Sequence, residues 1–167
     1  MLELEFDEVV TDKKEIETQG FKIYDCEQNS SEWYECRLRK ITASNMKTLM
    51  GNGITRDNIL LSKASEIITG VYDESERFTN KDIKRGNDLE IFAKEKYEEL
   101  NNINVRTVGF VELDKFVGVS PDGLVGDDGL IEIKCPNNKN YIKQVIHGKE
   151  SISNIYITQM QMQMYVT

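Results

Sequence analysis

Residues 120–136 read SPDGLVGDDGLIEIKCP, and the placement of their polar side chains decides how the chain is understood. Gly126, Asp127, Asp128 and Gly129 form a turn cluster between two apolar runs, which predicts a β-hairpin. In the second run alternate side chains take opposite faces, so Ile131, Ile133 and Cys135 share one side while Glu132 and Lys134 share the other. Folding back across the turn sets Asp122 opposite Glu132, to within about one residue of register. Two carboxylates that close repel unless a positive charge sits between them.

Each piece has a plainer reading. Pro121-Asp122-Gly123 alone reads as a turn, and Glu132 with Lys134 as the charged face of an edge strand. The combination is more specific: Asp, nine intervening residues, then Glu-x-Lys on a strand is the metal-dependent nuclease signature PD-(D/E)xK. Hard carboxylate oxygens suit Mg²⁺ or Mn²⁺, which polarises a phosphodiester and activates water. Asp122 and Glu132 are then expected to hold metal, with Lys134 facing the attacking water.

At 167 residues the chain reads as one domain, 1–167, long enough for a real core. Its 39% hydrophobic and 30% charged content fits a globular rather than a disordered protein. No apolar run is long enough to span a membrane, and the acidic start MLELEFDEVV is unlike a signal peptide, so a cytoplasmic location is expected. Cys26, Cys36 and Cys135 lack CxxC spacing and read as reduced thiols, too few for a cysteine-ligated iron-sulfur cluster. His147, the only histidine, excludes a histidine-rich metal site and reads as a residue near a helix end. A net charge of -8 argues against a nonspecific nucleic-acid coat protein and leaves a nuclease open, because bound metal offsets active-site acids.

Residues 1–24 read as an N-terminal arm, with Phe21, Ile23 and Tyr24 in a short extended segment. Ser30 or Ser31 caps one short helix, and Thr42 or Ser44 caps another that runs to Gly51. Arg37 and Ser44 are individually a solvated residue and a cap. Together, at a helix N-terminus, they suggest a phosphate pocket. Ile59 to Thr69 predicts a helix packed through Leu60, Ala64 and Ile67 or Ile68, followed by a polar loop over 71–80. Lys81 to Leu100 is the strongest helix, with Leu89, Phe92, Ala93, Tyr97 and Leu100 on one stripe and Glu90 half-buried at its edge. A carboxylate there calls for a metal or cation nearby.

Val105–Leu113 and Lys115–Ser120 predict strands leading into the hairpin. Beyond Pro136 the stretch NNKNYIKQVIHGKE reads as a helix with Lys139, Lys143 and Lys149 supplying positive charge; contact with a DNA backbone and a plain solvated face fit equally well. The ending YITQMQMQMYVT alternates like a strand but is rich in helix formers, and a helix is expected. That puts Gln159 and Gln163 on one face and Met160 and Met164 on another, packed into the core.

With these residues assembled, the chain resembles the phage lambda-type exonucleases, the YqaJ group of viral recombination nucleases. The matching pieces run in order: W-x-x-x-R-x-x-x-I-T-A-S from Trp33 to Ser44, G-x-x-x-E at Gly86 and Glu90, SPDG from Ser120, E-x-K-C-P from Glu132, and Y-x-x-Q-x-Q from Tyr156 with a V-T close. The resemblance implies an α/β (α+β) restriction-endonuclease-like core, a central mixed β-sheet flanked by helices. It implies Mg²⁺-dependent 5′-to-3′ digestion of one strand at double-stranded DNA ends, a ring-shaped homotrimer, and a phage single-strand annealing protein as partner. By motif position Asp122, Glu132 and Glu90 form the metal site, Lys134 is the catalytic lysine with Gln159 beside it, and Arg37 and Ser44 receive a 5′-phosphate. Members continue past the V-T with a further strand and helices, whereas this sequence stops at Thr167; a complete chain is then expected to expose a sheet edge, the alternative being a fragment of a longer protein. The rival readings are a RecB-like repair or CRISPR-adaptation nuclease and a noncatalytic DNA-end-binding or inhibitory protein.

Overall fold

A computed structural model of the 167-residue chain describes residues 15–18, 20–73 and 80–167. Strands β1 (Glu15–Thr18) and β2 (Phe21–Tyr24) precede helix α1 (Ser31–Arg37), a 3-10 turn at Ala43–Asn45, and helices α2 (Met46–Leu49), α3 (Ile54–Thr69) and α4 (Lys81–Asn101). Strands β3 (Val105–Arg106), β4 (Phe110–Asp114), β5 (Val117–Val119), β6 (Gly123–Val125) and β7 (Gly129–Ile131) follow, then α5 (Asn138–His147) and α6 (Asn154–Val166).

The α+β class holds, but the expected mixed sheet is two antiparallel ones, ordered β1-β2-β4-β5 and β3-β6-β7. The parallel component among the described residues is a single bridge, Ile41 to Val117. The strand expected from Val105 to Leu113 breaks between β3 and β4, and its two halves join different sheets. A Cβ on Gly109, within that break, would lie 2.2 Å from the Cys26 carbonyl oxygen. Residues 21–24, expected in an arm, instead form an interior strand: β2 pairs with both β1 and β4, and Ile23 and Tyr24 are buried. Positions 1–14 and 74–79 lie outside the described residues, so the acidic start and most of the predicted 71–80 loop do too.

The core joins Ile23, Val111 and Val119 from the first sheet to Ala43, Val108 and Val166, with Met162 packed against them. Met162 and Val166 stand four residues apart on α6, so the core face of this helix is 162–166 and not Met160 with Met164. Met164 is 65% exposed. α4 departs further from expectation: Phe92 is 65% and Leu100 72% exposed. Helical spacing tells which residues share a face, but here the helix meets the sheets through its polar side. Arg85 donates to the carbonyls of Cys135 and Pro136, Lys94 to Thr107 Oγ1, and Glu98 accepts from Val105 N at 2.6 Å.

α3 behaves similarly. It begins earlier than expected, at Ile54, and it buries Lys63 and Glu66 while Leu60, Ala64 and Ile68 stay exposed. The Glu66 carboxylate accepts from Lys63 Nζ (3.1 Å), Arg39 N (2.7 Å) and Asp73 N (3.1 Å), pinning the chain on both sides of the helix. Removing one partner of a buried ion pair typically destabilises by about 3–5 kcal/mol. Glu66→Ala is therefore expected to lower unfolding free energy by about 3 kcal/mol in urea melts; a loss below about 1 kcal/mol would remove the structural role assigned to the network.

Candidate active site

The hairpin of residues 120–136 forms as the turn cluster suggested. Gly123 pairs with Ile131 and Val125 with Gly129, so Gly129 belongs to the strand and the loop is shorter than its four-residue cluster. Continuing that register sets Asp122 opposite Glu132. Gly123 is a strand residue and not a turn: a Cβ there would meet Val105 Cγ1 at 2.1 Å. β7 ends at Ile131, and Glu132 to Asn137 follow in irregular backbone.

Asp122 Oδ2 accepts from Ile133 N at 2.5 Å, which ties the two arms together past the last strand pair. The Glu90 side chain of α4 hydrogen-bonds Asp122. Burial first, then the hydrogen bond and negative charge of Glu90, push the Asp122 carboxyl from its ordinary 3.8 to about 7. Two carboxylates in such contact relax in two ways, by sharing a proton or by sharing a cation.

Glu132 is differently engaged. Its side chain, 2% exposed, is ion-paired to Lys134 Nζ through Oε1, which also accepts from Gln159 Nε2 at 2.5 Å, while Oε2 accepts from Gln163 Nε2 at 2.6 Å. Burial works to lower the Lys134 pKa, but Glu132, with help from Asp122 and Glu90, outweighs it and the net shift is upward. Lys134 is thus a fixed ammonium. The aromatic ring of Tyr156 lies 5.6 Å from Nζ.

The structure therefore brings Asp122 and Glu90 into contact, gathers Glu132, Lys134 and Gln159 beside them, and turns the Glu132 oxygens toward α6. Among the described residues no three acidic, histidine or cysteine side chains meet as a ready-made metal shell. The donor chemistry still fits a hard divalent cation: a pair of carboxylates held in contact is an oxygen seat whose repulsion Mg²⁺ or Mn²⁺ relieves.

These groups line one cleft of about 1120 Å³ whose far wall holds Arg37, Thr42 and Ser44. Arg37 Nη2 donates to Thr42 Oγ1 (3.2 Å), its guanidinium stacks 4.1 Å over Trp33, and its Nε is buried with no acceptor among the described residues. Trp33 Nε1 in turn donates to Gly109 O (3.0 Å) and Ser120 Oγ (2.8 Å), fixing α1 against the SPDG stretch. Ser30 caps α1 as expected. The helix expected from Thr42 or Ser44 to Gly51 is instead a 3-10 turn and the four-residue α2, so the helix-dipole contribution to this pocket falls away and side chains carry it. Lys143 lines a neighbouring cavity of about 580 Å³ that shares Glu90 and Lys134 with the main cleft, whereas Lys139 and Lys149 lie on the exposed surface away from both. His147 ends α5.

Residues 32–167 match the model of the YqaJ-like viral recombinase domain. The chain belongs to this family. Among solved structures, an alkaline exonuclease (LHK-Exo) from Laribacter hongkongensis is 37% identical with a TM-score of 0.73, covering 83% of this chain and 69% of that one. LHK-Exo in complex with dAMP matches at 37% identity and a TM-score of 0.72, over 82% and 68% of the respective chains. No curated protein sequence matches. Like these neighbours, the YqaJ-family chain is a nuclease of the exonuclease type. No helix among its described residues is long and apolar enough to cross a membrane.

Proposed function

We propose that the chain is a Mg²⁺-dependent exonuclease that digests one strand of double-stranded DNA from 5′-phosphorylated ends, in phage-type recombination within a bacterial cytoplasm. The observation that carries this reading is the Asp122–Glu90 carboxylate contact beside the Lys134 ammonium, in a cleft that also holds Arg37. Asp122 and Glu90 would hold the ion, with Glu132 able to join them by exchanging a glutamine hydrogen bond. A divalent ion bound there supplies Lewis acidity toward the scissile phosphate and the attacking water. Lys134 steadies negative charge as it grows on the phosphate, because its raised pKa keeps it protonated through neutral and alkaline pH. Gln159 holds Glu132, which holds Lys134. Arg37, with Ser44 and Thr42 beside it, receives the terminal 5′-phosphate in bidentate fashion. The neighbour's complex with dAMP fits release of mononucleotides. The family resemblance adds assembly as a homotrimer and work beside a single-strand annealing protein.

The test is a linear duplex carrying a 5′-phosphate or a 5′-hydroxyl, incubated with Mg²⁺ or with chelator. Mononucleotide release from the 5′ strand with Mg²⁺ alone supports the reading; tight end binding without cleavage would favour a noncatalytic end binder. In the same assay Arg37→Ala is expected to lower the preference for phosphorylated over hydroxyl ends about 10-fold or more, and an unchanged ratio would remove the pocket.

A further inference from the structure

We infer that Gln163 is a positioning residue for Lys134, acting through Glu132; the inference rests on the nuclease reading above. Gln163 sits in α6 one turn beyond Gln159 and is 0% exposed. Its Nε2 donates to Glu132 Oε2 (2.6 Å) and, more weakly, to Ser120 O (3.4 Å), while its Oε1 is buried with no donor among the described residues.

The amide is thus satisfied on one side only. A buried amide oxygen left without a donor is unfavourable, while an apolar side chain in its place would instead leave Glu132 Oε2 without its 2.6 Å donor. A buried amide aimed at the second oxygen of a buried carboxylate points to the holding of that carboxylate.

The geometry supplies the task. Lys134 and Gln159 both engage Oε1 of Glu132, which leaves the carboxylate free to swing about its terminal bond. A donor on Oε2 fixes the carboxylate plane, and Gln163 is that donor. With the plane fixed, the ammonium of Lys134, at the end of a flexible four-carbon stem, has one direction. Tyr156 bounds it from the side. Partners of this kind, one bond removed from the reacting groups, typically change rates by about 10- to 100-fold when removed.

The experiment uses the full chain with Gln163→Met and Gln163→Leu in parallel, read by kcat and KM on a 5′-phosphorylated duplex with Mg²⁺, by duplex affinity without divalent metal, and by thermal midpoint. The expected result is a modestly lowered midpoint, unchanged duplex affinity and KM, and kcat lowered about 10- to 100-fold in protein that is fully folded at the assay temperature. Wild-type kcat in both variants would overturn the inference, as would a kcat that returns to wild type when the assay is run well below the variants' midpoints. A wild-type chain that releases no nucleotide with Mg²⁺ would instead overturn the nuclease reading, and this inference with it.

Discussion

Asp122→Asn is expected to lower kcat by about 10³-fold or more, because it removes a carboxylate that no neighbouring side chain replaces at the Glu90 contact. The same substitution should make the metal-free protein more stable at pH 8. With a folded pKa of about 7 against an ordinary 3.8, Asp122 keeps its proton in the folded chain between these values and loses it in the unfolded chain. Its contribution to stability is therefore fully present below about 4, declines as pH rises, and is lost above about 7. Asparagine cannot ionise, so without divalent metal the variant should melt higher than wild type at pH 8, and the gap should close toward pH 5. A metal ion competes with the same proton. Wild-type affinity for Mn²⁺ should rise with pH up to about 7 and then level, weakening about 10-fold per unit below it. Calorimetry in buffers of different ionisation enthalpy would register close to one proton released per ion bound at pH 6. A flat affinity between pH 5 and 8 would mean that the ion binds elsewhere.

Lys134→Ala should lower kcat about 10²- to 10³-fold while leaving KM and duplex affinity near wild type. The Lys134 side chain is 35% exposed at the cleft and its ammonium is tied to buried Glu132, so it is held in one place and, on the proposed reading, serves the reacting phosphate more than DNA binding at large. Glu132 keeps two amide donors in the variant, so the fold should survive. Because the lysine pKa is raised above its ordinary 10.5, the wild-type pH profile should show no lysine limb through neutral and mildly alkaline pH. A KM that rises while kcat stays constant would recast Lys134 as a simple phosphate contact.

Much of this site is legible in residues 120–136, because strand alternation and a glycine-rich turn leave little choice about which side chains face each other. The register that opposes Asp122 to Glu132 follows from that local chemistry, whereas the place of Gln159 beside Lys134 comes only from the family resemblance. What pattern could not give is which face a helix turns inward. α3 and α4 carry apolar rows at helical spacing, yet both are held by polar side chains: Glu66 gathers two backbone N–H groups, and Arg85 and Glu98 bind backbone atoms of other segments. Backbone groups with no strand partner outweighed apolar burial there. Nor does alternation show that the Glu132 oxygens turn toward two amides of α6. Gln163 was within reach of pattern reading, since it stands four residues after Gln159, but its neighbour Met164 suggested a core face one residue further on. Arg37 and Ser44 do share the cleft, although the helix expected to lend them its dipole is only a single turn.

Asp122 and Glu90 are proposed to share one divalent ion next to Lys134. The most direct measurement is an anomalous-scattering map from crystals of the chain grown with Mn²⁺ at pH 8. A peak coordinated by both carboxylates, and absent in Asp122→Asn, is the predicted result. A peak bound elsewhere, with Asp122 still hydrogen-bonded to Glu90 and Ile133 N and free of metal, would contradict the account.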